Sequence, residues 1–126
     1  MTQKRLFIGK TGEDIAVEFL KKQGYKIIQR NFKSKLGELD IIASDKDTIC
    51  FIEVKTRTSL EKGSGFESIT RTKQHKLSKS ALSYLKTHNL LNKPARFDVA
   101  SILLEGSFNK IELIKNAFSL DSCYLY

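Results

Sequence analysis

The chain has 126 residues, 40% apolar and 29% charged, with one proline and seven glycines, which fits a single domain with one core and excludes a repeat array or a disordered chain. Lysine and arginine outnumber aspartate and glutamate by 22 to 14, and the resulting net charge of +8 suits a polyanionic partner such as nucleic acid. No apolar run reaches the ~18–20 residues of a membrane span, and the first residues lack a signal-peptide core, so a soluble, cytoplasmic protein without a membrane partner is expected.

Residues Met1 to Lys10 are basic and are expected to be loosely held. A helix is predicted from Thr11, whose hydroxyl can cap it, with Asp14 completing a T-x-x-D capping box. Ile15, Ala16, Phe19 and Leu20 mark its buried stripe, and Gly24 ends it. Glu13 lies at the edge of that stripe: it is either a favourable charge at a helix N-terminus or a carboxylate aimed at a site, and spacing alone favours the first. Tyr25 to Phe32 alternates as a strand, with Ile27 and Ile28 as core candidates, and Arg30, Lys33 and Lys35 form a basic rim at its far end.

Leu36 to Thr56 reads as two strands joined by a tight turn at Asp45-Lys46-Asp47, rich in β-branched residues. A hairpin centred between Lys46 and Asp47 sets Ile42 opposite Phe51, Asp40 opposite Glu53 and Glu38 opposite Lys55. Like charges directly opposed destabilise a sheet, so Asp40 and Glu53 call for a cation between them, and a hard divalent ion with oxygen ligands is the natural candidate. Lys55, two residues along the same face, adds a mobile cation. Two carboxylates, a lysine and a divalent ion suit hydrolysis of a phosphodiester, because the ion neutralises the phosphate and acidifies a bound water. A surface hairpin with a Glu38–Lys55 ion pair and a solvated Glu53 is the alternative, and a one-residue slip would send Asp40 to the other face. Cys50 in the second arm reads as a small core residue. Neither it nor Cys123 has metal-ligand spacing, so both are expected to be free thiols in a reducing compartment.

Arg57 to Ser68, with Gly63-Ser64-Gly65 at its tip, is expected to be a mobile flap beside the hairpin. A second helix follows from about Thr70 to His88, with Leu77, Ala81, Tyr84 and Leu85 as its apolar stripe. One turn earlier the stripe reaches Lys73 and Gln74, which either sit at the edge of the core or point at a scissile phosphate. Lys76, Lys79 and Lys86 share an outward, solvated face. Strands are predicted over Ala95–Leu104 and Ile111–Ile114, joined by a turn over Gly106–Asn109. Asp98 is as well suited to pairing with Arg96 or Lys55 as to catalysis. The apolar tail from Asn116 to Tyr126 either covers the core or contributes to a dimer contact.

The order of G-x-x-G-E-D-I-A from Gly9, R-N-F, G-E-L-D, F-I-E-V-K-T-R, T-K-Q and R-F-D-V resembles the small bacterial YraN-like family, from about Gly9 to Val99. The resemblance implies an α/β fold with a restriction-endonuclease-like core of the PD-(D/E)-x-K type, similar to archaeal Holliday-junction resolvases. Its expected order is α-β-β-β-α-β, with a mixed sheet of four to five strands. It further implies that Asp40 and Glu53 hold Mg²⁺ or Mn²⁺ and that Glu13 joins them. The Val54 carbonyl would be a further ligand, Lys55 the group that activates water or steadies the phosphate, and Gln74 a residue that orients it. Glu38 either pairs with Lys55 or joins the metal ligands. The expected function is therefore that of a metal-dependent DNA nuclease. Branched DNA is the substrate that the resolvase likeness suggests, cut by a C2 homodimer. The alternatives are a nucleic-acid-binding module that does not cut and a structural adaptor.

Overall fold

A single mixed sheet in the order β1-β2-β3-β4-β5 runs through the molecule, with one helix on each face. The computed structural model describes residues 3–58 and 69–119. Its elements are α1 (Gln3–Lys22), β1 (Lys26–Ser34), β2 (Gly37–Asp45), β3 (Thr48–Thr58), α2 (Arg71–Thr87), β4 (Ala95–Glu105) and β5 (Phe108–Phe118). Neighbouring strands are antiparallel except β3 and β4, which are parallel and joined through α2. The α/β class and the expected element order are found, and the strand predicted over Ile111–Ile114 is the longer edge strand β5. The predicted flap tip and the tail beyond Ser119 lie outside the described residues, as does Cys123. Among the described residues, no helix is long and apolar enough to cross a membrane.

The two sheet faces bury different residues. Ile41, Ala43, Cys50, Ile52, Ala100 and Ile102 pack under Ala16, Val17 and Leu20 of α1. On the other face Ile42, Ile49, Phe51 and Phe97 pack under Leu77, Ala81, Tyr84 and Leu85 of α2, the predicted stripe. Burying a side chain of this size stabilises by roughly 1.5–3 kcal/mol, so these two layers hold the fold.

Both helices end in the same hydrogen-bonded cap. Gly24, at φ +96°, donates to the Lys21 carbonyl while Tyr25 N–H donates to Leu20. Asn89, at φ +59°, donates to Lys86 while Leu90 donates to Leu85. These bonds satisfy carbonyls that a helix end leaves open, and glycine or asparagine tolerates the left-handed backbone required. The start of α1 corrects the expectation. The helix begins at Gln3, so Thr11 and Asp14 lie inside it and form no capping box. Gly12 is there because α1 crosses β3 at Thr56: a Cβ on Gly12 would collide with the Thr56 side chain.

At the other end of the sheet lies a buried polar cluster. The Asp98 carboxylate is fully buried and accepts from Arg96 Nε at 3.0 Å, Asn116 N–H at 2.8 Å and Tyr25 O–H at 3.1 Å. Arg96 also donates to Tyr25 Oη and to Asp45 Oδ2, each at 2.9 Å. A buried charge persists only when paired and hydrogen-bonded in this way. Asp98 therefore pairs with Arg96, one of the two partners weighed for it, on the sheet face opposite Glu53.

Candidate functional site

The β2–β3 hairpin has the register its turn predicts, Asp45 opposite Thr48 and Ile42 opposite Phe51. The ladder ends at Ile41 opposite Ile52. Asp40 and Glu53, and beyond them Glu38 and Lys55, are therefore not ladder pairs as expected; Glu38 is exposed and lies opposite Lys33 of β1. Strict alternation also fails here. Leu39 packs on the α2 face with Ile42, although two residues from Ile41 on the other face. β1 matches the irregularity, since Asn31, at φ +53°, falls between the paired positions Arg30–Ile41 and Phe32–Leu39.

Where the strands part, the Asp40 carboxylate takes the place of a backbone partner. Its Oδ2 accepts from Val54 N–H at 2.9 Å. N–H and C=O of one residue leave a strand on the same side, so the Val54 carbonyl opens toward the same fork. Glu53 points to the α2 face and lies within hydrogen-bonding reach of Asp40. Its Oε2 is buried without a hydrogen bond, and Lys73 Nζ stands 3.5 Å away as an ion-pair partner. Burial first, and then Glu53, push the Asp40 carboxyl up to about 8.

Glu13 approaches Asp40 from α1, on the sheet face opposite α2. Burial, and then Asp40, raise its pKa, and Arg30 partly offsets the rise. The Arg30 guanidinium lies 3.5 Å from Glu13 and 2.7 Å from Asp14. Arg30, expected to be part of a solvated rim, is thus the cation that holds Glu13. Nothing in the sequence signals that contact, which spans 17 residues and two elements. Lys73 is legible as a polar residue one turn ahead of the α2 stripe.

The remaining residues are dispersed. Lys55 is half-buried on the Glu53 face of β3 and makes no ion pair with a described residue. The Gln74 amide donates to the Ile69 carbonyl at 2.8 Å, which ties it to the start of α2. Among the described residues, no three histidine, cysteine, aspartate or glutamate side chains are gathered closely enough to hold a metal. The donor chemistry at the fork nevertheless fits a hard divalent ion: two adjacent carboxylates, one with an unsatisfied buried oxygen, and a carbonyl facing the same space. Glu13 stays with Arg30 in this arrangement.

The model of the uncharacterised protein family UPF0102 matches residues 12–102. A UPF0102 protein of Desulfosudis oleivorans is 47% identical over 118 residues, covering 94% of each chain. One of Caldicellulosiruptor saccharolyticus is 49% identical, over 88% of this chain and 96% of its own. A third, of Clostridium botulinum, is 50% identical over 90% and 94%. The matched span contains the fork, the Gly12–Thr56 crossing and the Lys73 contact, and the chain belongs to family UPF0102, the YraN-like family.

Proposed function

We propose that the protein is a metal-dependent nuclease with a restriction-endonuclease-like core that hydrolyses DNA phosphodiester bonds. One observation carries the reading: two half-buried carboxylates, Asp40 and Glu53, lie beside each other where β2 and β3 part, with Lys55 two residues along. Nothing in sheet stability favours that placement. Asp40, Glu53 and the Val54 carbonyl would hold Mg²⁺ or Mn²⁺, and Glu13 would join through water or after release from Arg30. The ion would supply charge neutralisation at the phosphate and a more acidic water. Asp40 is already oriented by Val54 N–H, so binding requires loss of the Asp40 proton and not a new backbone arrangement. Lys55 donates from its ammonium to the attacking water or to a phosphate oxygen. Lys73, displaced from Glu53, turns to the phosphate, and Gln74 fixes the start of α2 beside it. A likeness to junction resolvases makes branched DNA the substrate to try first, with a C2 dimer placing two sites for two symmetrical cuts.

The second reading is a module that grips nucleic acid without cutting. The pairing of Glu13 with Arg30 and Glu53 with Lys73 favours it, since both carboxylates already have cations. Cleavage of labelled duplex, single-stranded and four-way-junction DNA, with Mg²⁺ or Mn²⁺ against EDTA, separates the two. Asp40→Asn is expected to lower the cleavage rate at least about 10²-fold while the fold stays intact. Binding without cutting under every condition moves the protein to the second reading.

A further inference from the structure

Lys73 apart, the lysines of α2 and of the turn before β2 have no part in the chemistry above. α2 carries Arg71, Lys73, Lys76, Lys79 and Lys86 and no acidic residue; the span from Tyr25 to Gly37 carries Lys26, Arg30, Lys33 and Lys35 and likewise none. Lys33, Lys35, Lys76, Lys79 and Lys86 make no ion pair with a described residue. Between these two acid-free elements lies an open groove of about 460 Å³, lined by Leu36, Lys79, Leu82, Ser83, Lys86 and Thr87.

The turn that walls the groove is braced. Ser34 Oγ accepts from Leu36 N–H at 3.1 Å and donates to the Gly37 carbonyl at 3.3 Å. Gly37, at φ +143°, lies so close to α2 that a Cβ there would be 3.0 Å from Ser80 Oγ. Leu36 is therefore presented on a fixed turn with 47% of its surface exposed. An apolar side chain on a rigid tip, with cations beside it, suits unstacked bases and not water. Lys73 to Lys86 covers about 20 Å of helix, or roughly six nucleotide steps at about 3.4 Å each. The cations thus lead away from the Asp40–Glu53 fork, beginning with the lysine that already touches Glu53.

We propose that this groove is a second nucleic-acid contact: Leu36 lies against bases exposed at a branch point, and Lys79 and Lys86 hold the phosphates beside it. The proposal rests on the nuclease reading for the direction of the strand, but it is tested by binding alone. Fluorescence anisotropy of the full chain in EDTA would compare a labelled four-way junction with a duplex of equal length. Leu36→Ala is expected to weaken junction binding about tenfold and to leave duplex binding within about twofold. Lys79→Gln with Lys86→Gln should weaken both and reduce the slope of log affinity against log salt by about two. Leu36 is exposed, so its loss leaves the fold in place. Equal loss on junction and duplex for Leu36→Ala, or no change in either variant, overturns the proposal. A Leu36-dependent junction affinity in a protein that never cleaves supports the groove and removes the nuclease. Cleavage with unaltered Leu36→Ala binding does the reverse.

Discussion

Asp40 carries a proton in the folded protein that it would release when unfolded. Its ordinary value is 3.8, and burial beside Glu53 raises it to about 8. Between those values the native state binds more protons than the unfolded state, so stability without metal falls as pH rises and levels above the folded pKa. Thermal melts in EDTA from about pH 5 to pH 9 should therefore show the wild type losing ground to Asp40→Asn as pH rises. Parallel curves would mean that Asp40 ionises freely in the fold. The neighbouring Glu13 gives a separate test. Glu13→Gln is expected to weaken divalent-ion affinity by roughly 10-fold or more, measured by calorimetry; an unchanged affinity would leave Glu13 as the partner of Arg30 alone. Both carboxylates of the pair were legible in the sequence, because opposed acids on a hairpin need a cause. Arg30 was not, because its role depends on where α1 crosses the sheet.

At the scale of the elements, the hairpin turn decided the β2–β3 register and the α2 stripe decided its packing. Alternation could not show that the strands part at Asp40, since a carboxylate accepting a backbone N–H substitutes for a ladder bond without any change in composition. The start of α1 was misread for a related reason. Thr11, Gly12 and Asp14 have the chemistry of a helix beginning, but tertiary contact with Thr56 is what requires the glycine. Gly12→Ala should therefore destabilise by about 1–3 kcal/mol through overpacking, although alanine is the better helix former by roughly 1 kcal/mol. Urea denaturation measures the loss, and Thr56→Ala in the same chain should recover part of it. A raised midpoint for the single variant would contradict the close crossing.

Over the whole molecule, composition revealed the excess of cations but not its side. The acidic residues of described α1, Glu13, Asp14 and Glu18, lie on one face of the sheet, whereas α2 on the other has none. The proposed binding of nucleic acid, driven by that asymmetry, would release counterions. Affinity for DNA in EDTA should fall roughly 10³-fold or more between about 50 and 200 mM salt; a flat dependence would remove the electrostatic argument.

The Asp98–Arg96 cluster has a consequence for the order in which a nascent chain can fold. Tyr25 precedes Arg96 by 71 residues and Asp45 precedes it by 51, while Asn116 follows Asp98 by 18. As synthesis proceeds from the N-terminus, α1 and the first three strands can form while Tyr25 and Asp45 still lack their arginine. Asp98 then emerges before the amide of Asn116 that completes its bonding. Such distant contacts are slow to close, so Tyr25 and Asp45 wait for β4, and docking of β5 then adds the last hydrogen bond to Asp98; a chain stalled before Asn116 would leave that bond unmade.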